Sequence, residues 1–230
     1  MAGTKPAPLV VVHVPKTAGT SLRLALREAY GDHLVEDYGD RPLTHPRWQR
    51  RLAAWLSGWS PARRIPDGHC VFGHFLALKY RRCEGARFAI WTRDPVDRVL
   101  SRYAHHLRDE AAGETAHATR GLRPGLDLDG FLALPNYRDT LAEYLWGFPL
   151  GRLDFVGSTE HFDEDLMRFS RRFLSQRDLP PNRANRSDPE SGPDRRDPAV
   201  RARVRAANAR DVILHERLLA IRASQIARGQ

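Results

Sequence analysis

Three short apolar runs each lead into a stretch with helical spacing, and this alternation limits the fold more than any other feature of the chain. LVVVHV at 9–14 is β-branched and stops at Pro15. The segment TSLRLALREAY at 20–30 then repeats Leu22, Leu26 and Ala29 at helical spacing before Gly31. ARFAIWT at 86–92 is followed by RDP and a helix from about Pro95 to Leu107, with proline suited to a first turn. LDFVG at 153–157 precedes a helix at 160–175; HCVFG at 69–73 reads as a further short strand, and a long final helix spans about 199–224. Strand, helix, strand, helix, strand, helix implies a parallel sheet with helices on both faces, whose ligands bind beyond the carboxyl ends of the strands. The expected architecture is α/β: a single domain over residues 1–230 with a central parallel sheet flanked by helices.

Between these runs the chain is less regular. Residues 36–68 are rich in Trp, Pro and Arg, with one helix expected at 46–57; 127–147 hold one or two short helices. Two stretches read as flexible loops: 108–126, and 177–198, which is too rich in Pro, Asp and Arg to pack a core. Hydrophobic content of 41% and charged content of 28% describe a globular chain long enough for one sizeable core. No apolar run approaches the about 18 residues that span a bilayer. The N-terminal MAGTKPAP lacks the basic-then-apolar layout of a signal peptide, so a cytoplasmic location without a membrane partner is expected. Cys70 and Cys83 are expected as free thiols, since two cysteines in such a chain make no disulfide framework.

Net charge is +9, from 37 basic and 28 acidic residues, which predicts an anionic partner. Zinc-finger spacing, RNP-like aromatics and a lysine-rich tail are all missing, so nucleic acid is not the expected partner. Only three of the basic residues are lysines, at 5, 16 and 79, and one of them lies in the turn after the first apolar run.

That turn is PKTAGTS, residues 15–21. Small residues let a backbone approach an oxyanion, and N–H groups at a helix start carry the positive end of its dipole. Thr17, Thr20 and Ser21 can each donate a hydroxyl hydrogen bond. The nucleotide signature G-x-x-x-x-G-K-[ST] places its lysine after the second glycine; here Lys16 precedes the only glycine of the turn, Gly19. A plain capped turn would also read this way. In an ATP or GTP site Mg²⁺ is held by a Ser/Thr and by an aspartate at a neighbouring strand end. Here that strand end is IWTRDP and the first charged residue is Arg93, a cation that neutralises phosphate without a metal. Ser101 lies eight residues beyond Arg93 in RDPVDRVLS, about two helical turns on, and the pair can hold a phosphate monoester. Arg98 is placed to pair with Asp94 on the same helix.

PKTAGTS followed by RDPVDRVLS resembles the two cofactor segments of sulfotransferases that use 3′-phosphoadenosine 5′-phosphosulfate (PAPS), in the style of the carbohydrate, heparan sulfate 2-O-like branch with its short bacterial members. VGSTEHFDEDL at 156–166 and NARDVILHERL at 208–218 are similar to later segments of that family, so the resemblance covers about 9–221. It implies a P-loop nucleoside triphosphate hydrolase-like sheet, the sulfotransferase fold. It also implies PAPS as donor and 3′-phosphoadenosine 5′-phosphate (PAP) as product, no metal, and a hydroxyl-bearing acceptor such as a glycan or small molecule. Pro15, Lys16, Thr17, Ala18, Gly19, Thr20 and Ser21 would hold the 5′-phosphosulfate, and Arg93 and Ser101 the 3′-phosphate. Asn185, Arg186 and Ser187, in LPPNRANRS, would cover the adenine and 3′-phosphate.

Such a transfer needs a base for the acceptor proton and a cation for the departing phosphate oxygen. His74, in VFGHF, follows a strand and a glycine and matches the family's catalytic base; Lys16 supplies the cation. Where the family often has a further histidine two residues earlier, this chain has Phe72. His13 stands at the mouth of the first loop, and one of His105 and His106 should face the acceptor cleft. His69, Cys70 and His74 lack metal-site spacing. Lys79, Arg81 and Arg82 are candidates for an acidic acceptor. Two rival readings are a small-molecule kinase using Mg-ATP and a non-catalytic nucleic-acid-binding module.

Overall fold

The computed structural model describes residues 6–40, 44–60, 64–113, 122–123, 125–174 and 193–230. Five parallel strands form one sheet: β1 (Leu9–Val12), β2 (Leu34–Asp37), β3 (Cys70–Gly73), β4 (Arg87–Thr92) and β5 (Leu153–Ser158), in the order β2-β3-β1-β4-β5. The helices are α1 (Gly19–Tyr30), α2 (Arg47–Ser57), α3 (Pro95–Ala111), α4 (Leu128–Ala133), α5 (Thr140–Tyr144), α6 (Phe162–Phe169), α7 (Pro198–Ala207) and α8 (Ala209–Ala227). This is the parallel, helix-flanked α/β sheet expected from the alternation, with the turn after the central strand feeding directly into α1.

The reason lies in burial on both faces. Every residue of β1 is buried, and successive side chains alternate between two cores. Val10 and Val12 join Phe88, Ile90 and Val156 on one face, under Leu141, Tyr144 and Leu218. Leu9 and Val11 join Phe72, Trp91 and Phe155 on the other, under Leu22, Leu26, Leu166 and Phe169 of α1 and α6. The register sets Val12 beside both Gly73 and Ile90, so the residues that leave these three strands emerge side by side.

Several expectations need correction. β2 was not foreseen: its LVED is partly exposed and sits at the sheet edge. α3 runs on to Ala111, so the first residues of the expected 108–126 loop are helical. The single final helix is two, α7 and α8. They break at Asn208, whose amide donates to the Val204 carbonyl and whose Oδ1 accepts from Asp139 N–H. Arg98 does not turn to Asp94. It pairs at 3.0 Å with buried Asp211 of α8, which also accepts N–H bonds from Leu141 and Ala142 and so ties α3, α5 and α8 together. Asp94 instead caps α3, accepting from the N–H groups of Val96 and Asp97. Both cysteines are free and buried, as expected.

Candidate active site

The turn after β1 is shaped by its own side chains. The Thr17 hydroxyl is buried and donates at 2.8 Å to the Val14 carbonyl, so it braces the loop from within. Lys16 and Ala18 both have left-handed backbone, with φ of 71° and 59°, an uncommon geometry for non-glycine residues and one found at functional turns. Ala18 is the N-cap of α1 and offers no side-chain cap; the first turn of the helix carries no acid either. The turn is thus not the Ser/Thr-capped one that the sequence also allowed, and Ala18 sets no side-chain acceptor at the positive end of the helix dipole.

Gly19 is required by close approach. A Cβ there would lie 1.9 Å from Nε2 of His13, whose ring lies directly over it. His13 is buried, stacks at 5.1 Å on Phe72 and at 4.7 Å on His74, and its Nδ1 makes no hydrogen bond among the described residues. Burial, with His74 and Arg23 nearby, holds its proton affinity well below that of an ordinary imidazole, so the ring is neutral at pH 7.

His74 leaves β3 beside the residue that leaves β1. Gly73, just before it, also sits in close approach: a Cβ there would meet the Asp37 carbonyl at 1.9 Å. Nδ1 of His74 donates at 2.7 Å to the His13 carbonyl. A carbonyl only accepts, so this bond fixes the proton on Nδ1 and leaves Nε2 with the lone pair of the neutral ring. Tyr38 and Tyr144 meet the ring edge-on, at 5.0 and 6.3 Å. Burial lowers its pKa from 6.5, with Arg102 acting in the same direction and the bond to His13 opposing both.

Cations gather around Lys16. Nη1 of Arg93 donates at 3.2 Å to the Lys16 carbonyl, which ties the end of β4 to the loop. The Lys16 ammonium is pushed down to about 8, first by burial and then by Arg102, Arg108 and Arg93, with Asp109 acting the other way. His105, paired at 3.1 Å with Asp109, is pushed down to about 4 by burial and by Lys16. Arg102, His105 and Arg108 recur every three residues on α3 toward the loop; of these the sequence pointed to His105, and Arg102 and Arg108 went unread. Of the two adjacent histidines, His105 is the one beside the site; His106 is buried against Tyr103 and Phe131. A narrow cleft runs on from Pro15 between Arg102, Arg50 and Tyr144.

The other expected residues fare differently. Thr20 is exposed at the start of α1, whereas Ser21 is buried. Ser101 is buried within α3. Asn185, Arg186 and Ser187 lie outside the described residues. Lys79 is withdrawn as an acceptor contact: it is buried, with Nζ 2.7 Å from Asp37 and 2.9 Å from Asp40. His69 packs against His33 at 4.6 Å. Among the described residues, no three His, Cys, Asp or Glu side chains group as metal ligands, and no helix is long and apolar enough to cross a membrane.

No protein-family model matches the chain, and no curated protein matches it. Among solved structures it is similar to a sulfotransferase from Alicyclobacillus acidocaldarius, with 19% identity, 96% of each chain covered and a TM-score of 0.49. A likeness of that strength carries nothing about chemistry, which the side chains around Lys16 and His74 must supply.

Proposed function

We propose that the chain is a sulfotransferase that moves a sulfuryl group from PAPS to an acceptor hydroxyl, with His74 as general base. The observation that carries this reading is the crowding of Lys16 by Arg93, Arg102 and Arg108, with Asp109 opposing them and Asp97 and Glu160 beside Arg93. Cations held together at the start of an uncapped helix favour a multiply charged anion, and the donor carries both a phosphosulfate and a 3′-phosphate. In the reaction the acceptor oxygen attacks sulfur while its proton passes to Nε2 of His74. The bond between sulfur and the bridging phosphate oxygen breaks, and the charge left on that oxygen is met by Lys16 and the N–H groups of the 15–21 loop. Arg93 and Ser101, with Asn185, Arg186 and Ser187, are assigned to the 3′-phosphate side.

Transfer of labelled sulfate from PAPS to a panel of hydroxyl acceptors tests the reaction. Calorimetry with PAP in the presence of a chelator tests the site. Binding of PAP that is indifferent to the chelator is expected. Tighter binding of Mg-ATP would make the chain a kinase, and steep salt-dependent binding of DNA or RNA in place of PAP would make it a nucleic-acid module.

A further inference from the structure

Helix α2 is amphipathic the wrong way round. Its buried residues are Arg50 and Ala54, and Arg47, Arg50 and Arg51 all converge on buried Glu143. Its large apolar side chains point outward: Trp48, Leu52, Trp55 and Leu56, with Trp59 just beyond, are between 43% and 64% exposed. Along the helix they make a row about 16 Å long. Of the five tryptophans in the chain only Trp91 lies in the core; Trp146, the fifth, is also exposed. Such a row is larger than scattered surface apolar residues explain.

What surrounds the row is cationic. The Arg82 guanidinium lies 3.2 Å over the Trp59 ring, and that of Arg51 4.9 Å from the ring of Trp146. A cavity of about 470 Å³ beside Trp59 is rimmed by Arg64 and Arg82 against one acid, Glu84. α2 itself contains three arginines and no acid. Those three turn inward to Glu143, so the outward charge beside the row is that of exposed Arg64 and Arg82. A second copy of a chain of net charge +9 would bring these two against their own counterparts, so self-association through this face is opposed by charge. Indole rings rimmed by arginine suit the boundary between lipid headgroups and acyl chains.

We propose that this face docks the protein peripherally on an anionic lipid surface, with the α2 tryptophans and leucines at the headgroup boundary and Arg82 facing lipid phosphate. The inference does not rest on the proposed reaction. It departs from the expectation of no membrane partner, which considered only spanning segments; a row on one helix face leaves no apolar run in the sequence. Ala54 packs with Leu76 and Leu78, just past His74, so docking would hold the His74 loop close to the lipid surface.

Co-sedimentation with vesicles of phosphatidylcholine alone, and of phosphatidylcholine mixed with phosphatidylglycerol, tests this directly. Partition is expected to rise with phosphatidylglycerol, to weaken with salt, and to shift tryptophan emission to the blue. A Trp48→Ser/Trp55→Ser variant should keep its thermal unfolding transition and lose partition at least about tenfold. Arg82→Gln should blunt the phosphatidylglycerol dependence alone. No partition into the mixed vesicles overturns the proposal, as does partition that the double variant leaves intact. So does a dimer that the double variant converts to monomer while vesicles are ignored, or capture of a soluble acidic polysaccharide by the same tryptophans without vesicle binding.

Discussion

The Nδ1 proton of His74 is held by the main-chain carbonyl of His13, at 2.7 Å, while the two imidazole rings lie 4.7 Å apart and nearly parallel. The clamp leaves one nitrogen to accept a proton and fixes the plane in which it does so. His74→Ala should therefore lower kcat by about 100- to 10,000-fold, the usual range for a positioned base, and leave PAP affinity within about twofold. Steady-state kinetics beside calorimetry checks this; full activity in the variant removes the base assignment.

The same burial makes a pH prediction. His74 binds its proton less tightly than an ordinary imidazole, because desolvation outweighs the hydrogen bond to His13. The basic form then dominates at neutral pH. The acid limb of kcat/KM should be centred below about 6.5. A limb centred above pH 7 would mean another base.

Lys16 predicts a proton count. With its ammonium pushed down to about 8, part of the population is neutral near that pH, and an arriving phosphate would favour the charged form. PAP binding at pH 8 should take up protons, read as a dependence of the binding heat on the buffer's ionisation heat. Affinity should fall as pH rises from 7 to 9. Lys16→Met should abolish the uptake and weaken binding; an uptake that persists in Lys16→Met belongs to another group.

Gly19→Ala is expected to hurt through His13. The new methyl would occupy the space of the His13 ring and weaken PAP binding by about tenfold or more. His13→Ala in the same chain should restore much of that loss, a non-additive pair in a double-mutant cycle. Simple additivity would show that the ring moves aside freely.

Asp211→Ala should be among the more destabilising single changes. It strips Arg98 of its partner in the interior and two N–H groups of their acceptor, worth about 3–5 kcal/mol together. Thermal unfolding should move down by roughly 10 °C, with secondary structure below the transition unchanged.

The strands buried on both faces were readable because such burial leaves an apolar run: β1, β3 and β4 carry one, and β5 has a short one, Phe155–Gly157, after Asp154. β2 was not, since an edge strand of four partly exposed residues leaves no such run. That omission led to a second. Asp37 of β2 and Asp40 just after it bury and neutralise Lys79, so a lysine that looked like part of a basic trio is a core ion pair. Lys16, Arg93 and His74 were singled out from strand ends followed by turns, and β1, β3 and β4 do lie side by side. The stacking of His13 on His74 could not, because it depends on which strands are neighbours. Arg102 and Arg108 share a three-residue period with His105, but nothing local told which of His105 and His106, and so which side of the helix, would meet a distant loop.

The strand order has an evolutionary corollary. His13 and His74 stand shoulder to shoulder although 61 residues separate them, because β1 and β3 are direct neighbours. Closing a longer excursion costs little more than closing a short one, since that entropy grows only with the logarithm of its length. The stretch that carries α2 can thus be lengthened, shortened or exchanged while the histidine pair stays in register, so a lineage could retarget such a protein by rewriting its periphery and sparing its chemistry.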